Sequence, residues 1–249
     1  MQTIFYGAAM INLNVTPSSP LLFALEPFHA LCDYVAGQAQ RLDPSLHGDG
    51  HPVLVFPGLG ASGTATADLR MRLRQLGYAV YDWEQGINNG PGIDFDRWLF
   101  LLGEHLLEIY SQHNRSVSII GWSLGGTYAR ELAKEHPNLV RQVITLATPF
   151  GKQDFSITEK IFGELGSYSC LLDDALLQRL SEAPPVPSSS VYSQTDGIVG
   201  WQRCVGKESG DHCNIEVKGV SHFGMVHHPD VLNVVADLLK NRNPIVAHR

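Results

Sequence analysis

Positive charge is scarce in this chain. Of 249 residues, 18 are Lys or Arg and 25 are Asp or Glu, a formal net charge of −7, and charged residues make up only 17% of the total. A nucleic-acid binder needs surplus cations to neutralise phosphates, so that class is excluded. A hydrophobic fraction of 44% excludes disorder. The first twenty residues have no Lys or Arg, and Asn12, Asn14, Thr16 and Pro17 break any apolar run. A secretory signal is therefore not expected, and a cytoplasmic location is. Cysteines are few: Cys32, Cys170, Cys204 and Cys213. Cys204, His212 and Cys213 lack the paired short spacings of a structural zinc site, so no metal is expected. Cys204 and Cys213 are close enough in sequence for a disulfide, but with no sign of export reduced thiols are the expectation.

The chain has enough length for one large α/β domain. Leu21, Leu22, Leu25, Phe28, Leu31, Val35, Ala39 and Leu42 recur near helical spacing. Glu26, His29 and Asp33 make this segment too polar to span a bilayer, which takes ~20 mainly apolar residues. This amphipathic helix is expected to pack on the main domain. A lid, or weak membrane-surface contact through residues 21–42, is the alternative. From residue 52 onward, short apolar runs alternate with helical patterns. Strands are expected at 52–56, 78–83, 116–121, 140–147, 191–193 and 214–218. Helices are expected at 68–76, 95–110, 124–136 and 231–240. This rhythm predicts a mostly parallel sheet with helices on both faces, and loops at the strand C-termini gathered on one edge. The pattern breaks at 150–188, where helical patches (157–165 and 171–180) predict a small helical cap, followed by a Pro/Ser-rich tether at 181–190. The predicted organisation is an N-terminal extension, 1–45, and a main α/β domain, 46–249, with the cap inserted at 150–188.

One stretch carries chemistry. An apolar strand runs into Gly121-Trp122-Ser123-Leu124-Gly125, and a helical pattern follows at once. A Gly-x-Ser-x-Gly turn between strand and helix is tight and strained. It lifts the serine hydroxyl above the sheet, close to a helix N-terminus that favours negative charge. A competing motif, Gly58-x-Gly60-x-x-Gly63 with Asp82 at the end of the next strand, formally matches a dinucleotide fingerprint. It leaves the later motifs unexplained, so no cofactor is expected.

Residues 52–241 resemble the α/β-hydrolase superfamily, its bacterial lipase and esterase members most of all. The resemblance rests on the blocks Val55–Ser62, Gly121–Gly126, Thr195-Asp-Gly-Ile-Val199 and Gly219-Val-Ser-His-Phe-Gly224. Two features depart from the pattern: Pro57 stands where a His often precedes the first-loop glycine, and the helix before residue 45 is extra. The resemblance implies an α/β-hydrolase fold and a triad in the chain order Ser, acid, His.

A serine hydroxyl needs a base to take its proton. Among 11 histidines, His222 follows a late strand and is the candidate; His227 and His228, beside Pro229 and the closing helix, read as cap or surface residues. Asp196, just after a strand, is the candidate acid that orients the imidazole. The resemblance places the oxyanion donors at the backbone N–H groups of Leu59 and Leu124. These five residues describe a serine hydrolase cleaving carboxylic esters of a small-molecule acyl or lipid substrate through an acyl-enzyme. Acyl transfer or thioester cleavage by the same triad is the alternative, and a non-enzymatic binding module the remote one. Phe150, Phe155, Ile161, Phe162, Leu165 and Leu171 of the cap would line an apolar acyl pocket. Oligomeric state is not readable.

Overall fold

The structure is a computed structural model that describes residues 20–39, 43–92, 94–150 and 174–241. Six strands, β1 (Pro52–Phe56), β2 (Ala79–Asp82), β3 (Val117–Trp122), β4 (Val140–Leu146), β5 (Ser188–Tyr192) and β6 (His212–Glu216), form one sheet in the order β2-β1-β3-β4-β5-β6. Every pairing is parallel. The helices are α1 (Pro20–Ala39), α2 (Ala67–Gln75), α3 (Phe95–His113), α4 (Leu124–Glu135), α5 (Asp174–Ser181) and α6 (Pro229–Asn241).

Period-2 alternation in the strands divides the core into two layers. Val53 and Val55 of β1 face Leu69 and Leu73 of α2 and Val235 and Leu239 of α6. Leu54 and Phe56 point the other way, to Leu99, Leu102 and Leu106 of α3 and Tyr128 and Leu132 of α4. Burial on both faces explains why β1 reads as an unbroken apolar run and why β3 is buried throughout. Asp94 caps α3 by accepting a hydrogen bond from the Arg97 N–H at 2.9 Å, and Asn114 ends the helix in the left-handed conformation, φ 48°.

Two sequence-based expectations are corrected here. The tether expected up to Ser190 ends earlier, because Ser188, Ser189 and Ser190 already belong to β5. They pair with His212, Cys213 and Asn214, and the Thr145 hydroxyl donates to Ser190 Oγ at 3.3 Å. Small hydroxyl side chains fit this buried strand because each finds a partner: Ser188 the Val186 carbonyl, Ser189 the Cys213 thiol and Ser190 the Thr145 hydroxyl. The second correction concerns α1, whose packing is the reverse of its apolar pattern. Its buried residues are Glu26, Asp33 and Gly37, while Leu21, Leu25, Phe28, Leu31 and Val35 are exposed. The polar face is the docking face because both carboxylates find backbone donors on the body of the protein, as set out below.

The crossover from β5 to β6, residues 193–211, contains a single short 3₁₀ turn, Trp201–Arg203, in place of a helix. The expected cap helix at 157–165, Cys170, Phe155, Ile161, Phe162, Leu165 and Leu171 lie outside the described residues, as does Leu42. No helix among the described residues is long and apolar enough to cross a membrane.

Candidate active site

All six strands point the same way, so the loops after β1, β3, β5 and β6 meet at one edge. Those loops carry Leu59, Ser123, Asp196 and His222.

The turn after β3 is shaped by what surrounds it. A Cβ on Gly121 would lie 2.3 Å from the Gly126 Cα, and one on Gly125 would lie 2.6 Å from the carbonyl oxygens of Phe56 and Pro57. Helix α4 is thus pressed directly onto the ends of β1 and β3, closer than any side chain permits. Ser123 takes the bend at φ 52°, ψ −125°, a region that costs a non-glycine residue ~1–3 kcal/mol. The Ser123 N–H is tied to the Leu146 carbonyl at 2.8 Å, which holds the strained residue in place. The residue itself is half-buried.

The first loop approaches from the other side. The space for a Gly58 Cβ lies 3.2 Å from Ser123 Cβ, so the Gly58–Gly60 backbone passes beside the serine. Asn88, fully buried, fixes this loop. Its Nδ2 donates to the Pro57 carbonyl at 2.9 Å, and its Oδ1 accepts from the Gly90 N–H (3.2 Å) and the Tyr128 hydroxyl (3.1 Å). Its backbone clasps Gly60 and Ala61 at 2.8 Å each. Among the described residues, neither the Leu59 N–H nor the Leu124 N–H has a hydrogen-bond partner.

Asp196 and His222 are joined, His222 Nδ1 lying 2.8 Å from Asp196 Oδ2, both nearly fully buried. The other carboxylate oxygen of Asp196 accepts from the Ile198 and Val199 N–H groups at 2.8 and 2.7 Å. This pair sits next to the bend. The Trp122 indole N–H donates to the His222 carbonyl at 3.0 Å, and the two ring centroids are 5.6 Å apart. Ser123 and His222 thus share Trp122 as a neighbour, and no hydrogen bond joins them directly in this conformation. Such contacts often close only when substrate binds. Burial alone would push His222 toward its neutral form. The Asp196 charge and hydrogen bond, with the Glu26 charge, outweigh that and raise its pKa above the ordinary imidazole value.

The rival histidines are occupied elsewhere. His227 Nδ1 lies 3.4 Å from an Asp68 carboxylate oxygen. His228 Nδ1 accepts the Asp230 N–H at 3.1 Å, at the start of α6. Asp82 at the end of β2 lies 3.5 Å from Arg70 and is packed against Gly63. Cys204 and Cys213 are free thiols. Among the described residues, no group of three potential metal ligands gathers.

Two things escaped the sequence reading. Asn88 has no motif around it; only the fold brings it under the Pro57 carbonyl. The second is an Asp–His–Ser series at the opposite edge of the sheet. His51 Nδ1 lies 2.5 Å from Asp49 Oδ1, and its Nε2 lies 2.8 Å from Ser118 Oγ. Ser118 and His51 are both 0% exposed, and Gln142 Nε2 also donates to Ser118 Oγ at 3.3 Å. Ser118 lies inside strand β3, at the step where its pairing with β4 shifts register, and its side chain is fully buried, so this series is a buried polar network rather than a reaction centre. A cavity of about 400 Å³ opens on the α4 side of β5 and β6, lined by Arg130, Phe150, Ser190, His212 and Asn214. None of the five candidate residues lines it.

No protein-family model matches the sequence, and comparison with curated proteins finds no match. Solved structures do match. An Aspergillus fumigatus lipase B superposes with a TM-score of 0.60 at 17% identity, covering 80% of this chain and 55% of that one. A Bacillus licheniformis lipase gives 0.58 at 18% identity, covering 78% and 94%. A thioesterase domain from the curacin biosynthetic pathway gives 0.55 at 12% identity, covering 79% and 92%. The chain has the α/β-hydrolase fold. Helix α1 lies against the loops bearing Asp196 and His222.

Proposed function

We propose that this protein is a serine hydrolase of carboxylic esters. The observation that carries this reading is the buried Asp196–His222 pair, set against Trp122 beside a strained, half-buried Ser123. In the reaction, His222 Nε2 takes the Ser123 hydroxyl proton as Oγ bonds to the acyl carbon. The developing oxyanion is held by the N–H groups of Leu59 and Leu124. The C–O bond to the alcohol then breaks, the alcohol leaves with the proton from His222, and an acyl-serine remains. Water, deprotonated by His222, attacks the acyl carbon; the Oγ–C bond then breaks, His222 returns the proton to Ser123 Oγ, and the acid is released. Asp196 keeps the imidazole oriented and stabilises its cation.

The same groups would cleave a thioester or pass the acyl group to another acceptor, and a thioesterase domain is among the proteins of like fold. A lipid-like substrate is favoured by the outward face of α1. Phe23, Phe28 and Leu31 are exposed there, on the helix whose inner face touches the His222 loop, and the helix has no Lys or Arg to demand an anionic surface. The test is hydrolysis of p-nitrophenyl esters of increasing acyl length, below and above their aggregation point. Ser123→Ala abolishes turnover while leaving the fold intact, and activity on long-chain esters rises with aggregation. Retained turnover in Ser123→Ala rejects the mechanism.

A further inference from the structure

The helix that the α/β-hydrolase pattern does not require makes close contact with the loops of the candidate triad. The Glu26 carboxylate bridges them. One oxygen accepts the Gly197 N–H at 2.9 Å, the residue after Asp196, and the other accepts the Phe223 N–H at 3.1 Å, the residue after His222. One helical turn pair further on, a single Asp33 oxygen accepts both the N–H (2.9 Å) and the hydroxyl (2.6 Å) of Ser221, the residue before His222. Ser221 Oγ in turn accepts the Gly224 N–H at 2.9 Å. His222 is therefore held on both sides by carboxylates from α1.

The fit is tight enough to exclude side chains. A Cβ on Gly197 would lie 2.5 Å from the Leu22 carbonyl oxygen and 2.6 Å from a Glu26 oxygen, and one on Gly224 would meet Asp33 Oδ2 at 2.0 Å. A Cβ on Gly37 would meet the His227 carbonyl at 2.3 Å. A third tie closes the far end of the helix, where Arg72 of α2 donates to the Gly37 carbonyl. Burying two carboxylates is unfavourable unless their lone pairs are satisfied, and four N–H or O–H donors from these loops satisfy them. A helix held only for bulk would have turned its leucines inward.

We infer that Glu26 and Asp33 are positioning residues for the reaction, with α1 acting as a strap that sets the His222–Asp196 geometry. This rests on the Ser123–Asp196–His222 reading above. Glu26 acts in two ways: its two bonds fix the spacing of the acid loop and the base loop, and its charge helps hold His222 protonatable. The ionisable groups around it are Asp196 and His222; those around Asp33 are His228, whose Nε2 lies 4.0 Å away, and His227.

The experiment measures kcat, KM and the pH profile of kcat/KM on a soluble p-nitrophenyl ester for Glu26→Gln, Asp33→Ala and Asp33→Asn, with thermal melting of each. In parallel, the downfield proton on His222 Nδ1 is titrated by NMR. Glu26→Gln keeps one acceptor and loses the charge, so kcat falls about tenfold, KM is unchanged and the acid limb moves to lower pH, well inside the ~10²-fold that a 1 Å misplacement can cost. Asp33→Ala strands both Ser221 donors and lowers kcat by ~10–100-fold. Asp33→Asn, which retains an oxygen for both, restores most of it. Wild-type kcat and an unmoved acid limb in Glu26→Gln overturn the inference. So does a loss confined to melting temperature, which would mean that the helix is only a brace. The NMR midpoint separates this from the underlying reading. It falls in Glu26→Gln wherever the helix tunes His222, even in a protein whose Ser123→Ala variant still turns over.

Discussion

Asn88→Ala removes a side chain that fixes the loop carrying Leu59, the proposed oxyanion donor. It deletes three hydrogen bonds: to the Pro57 carbonyl, from the Gly90 N–H and from the Tyr128 hydroxyl. At about 1 kcal/mol each, with two of the stranded partners buried, the loss of stability is ~3 kcal/mol. The consequence for turnover comes from Leu59. Its N–H is carried between Pro57, which Asn88 holds by its side chain, and Gly60, which Asn88 holds by its carbonyl. Releasing the first tie lets the N–H drift from the oxyanion, and one such donor is worth ~10²–10³ in kcat. A partial loss, about 10- to 50-fold in kcat with little change in KM, is therefore expected. Asn88→Asp keeps the acceptor for Tyr128 but repels the Pro57 carbonyl, so it behaves like Asn88→Ala in turnover. Urea denaturation gives the stability, and steady-state hydrolysis of p-nitrophenyl butyrate gives kcat. A protein that loses ~3 kcal/mol yet keeps its full kcat would refute the assignment of Leu59 as a donor.

Activity requires neutral His222, whose pKa is raised, so kcat/KM climbs along an acid limb centred above the usual ~6.5. Asp196→Asn lets burial dominate, moving that limb downward and lowering kcat by about 10⁴-fold. The raised imidazole also adds stability that is complete below its unfolded-state pKa and fades as pH rises through its folded-state value, which urea midpoints taken across pH will show. Ser118→Ala strands the buried His51 Nε2 acceptor and the Gln142 amide donor, so it costs ~1–3 kcal/mol while kcat stays at the wild-type level. Gly125→Ala drives a methyl group to 2.6 Å from two backbone carbonyls, and circular dichroism should find little folded protein.

The sheet and the bend at Ser123 were legible because they depend on local patterns. The apolar run of β1 and the mostly apolar β3 follow from burial on both faces, and the glycines at 121 and 125 announce a bend that no Cβ fits. Asp196 and His222 were readable as residues placed just after strands. The orientation of α1 was not. Its apolar spacing defines a face but not which side of the helix meets the protein, and the two carboxylates that decide the matter bind backbone groups some 170 to 197 residues away. Asn88 was hidden for the same reason, since its partners are carbonyl and hydroxyl groups brought in by topology. Ser188–Ser190 read as tether because serine has little strand preference of its own; pairing on both sides overrides that. The buried series of Asp49, His51 and Ser118 makes the converse point. A hydrogen-bonded carboxylate, imidazole and hydroxyl do not make a nucleophile without a bend and a path for substrate.

The most direct measurement is fluorophosphonate labelling of the folded protein at neutral pH, followed by peptide mass mapping. One adduct per chain on the peptide containing Ser123, lost in His222→Ala, is the expected result. An adduct at Ser118, or no adduct on a folded sample, would contradict a hydrolase built on the bend after β3.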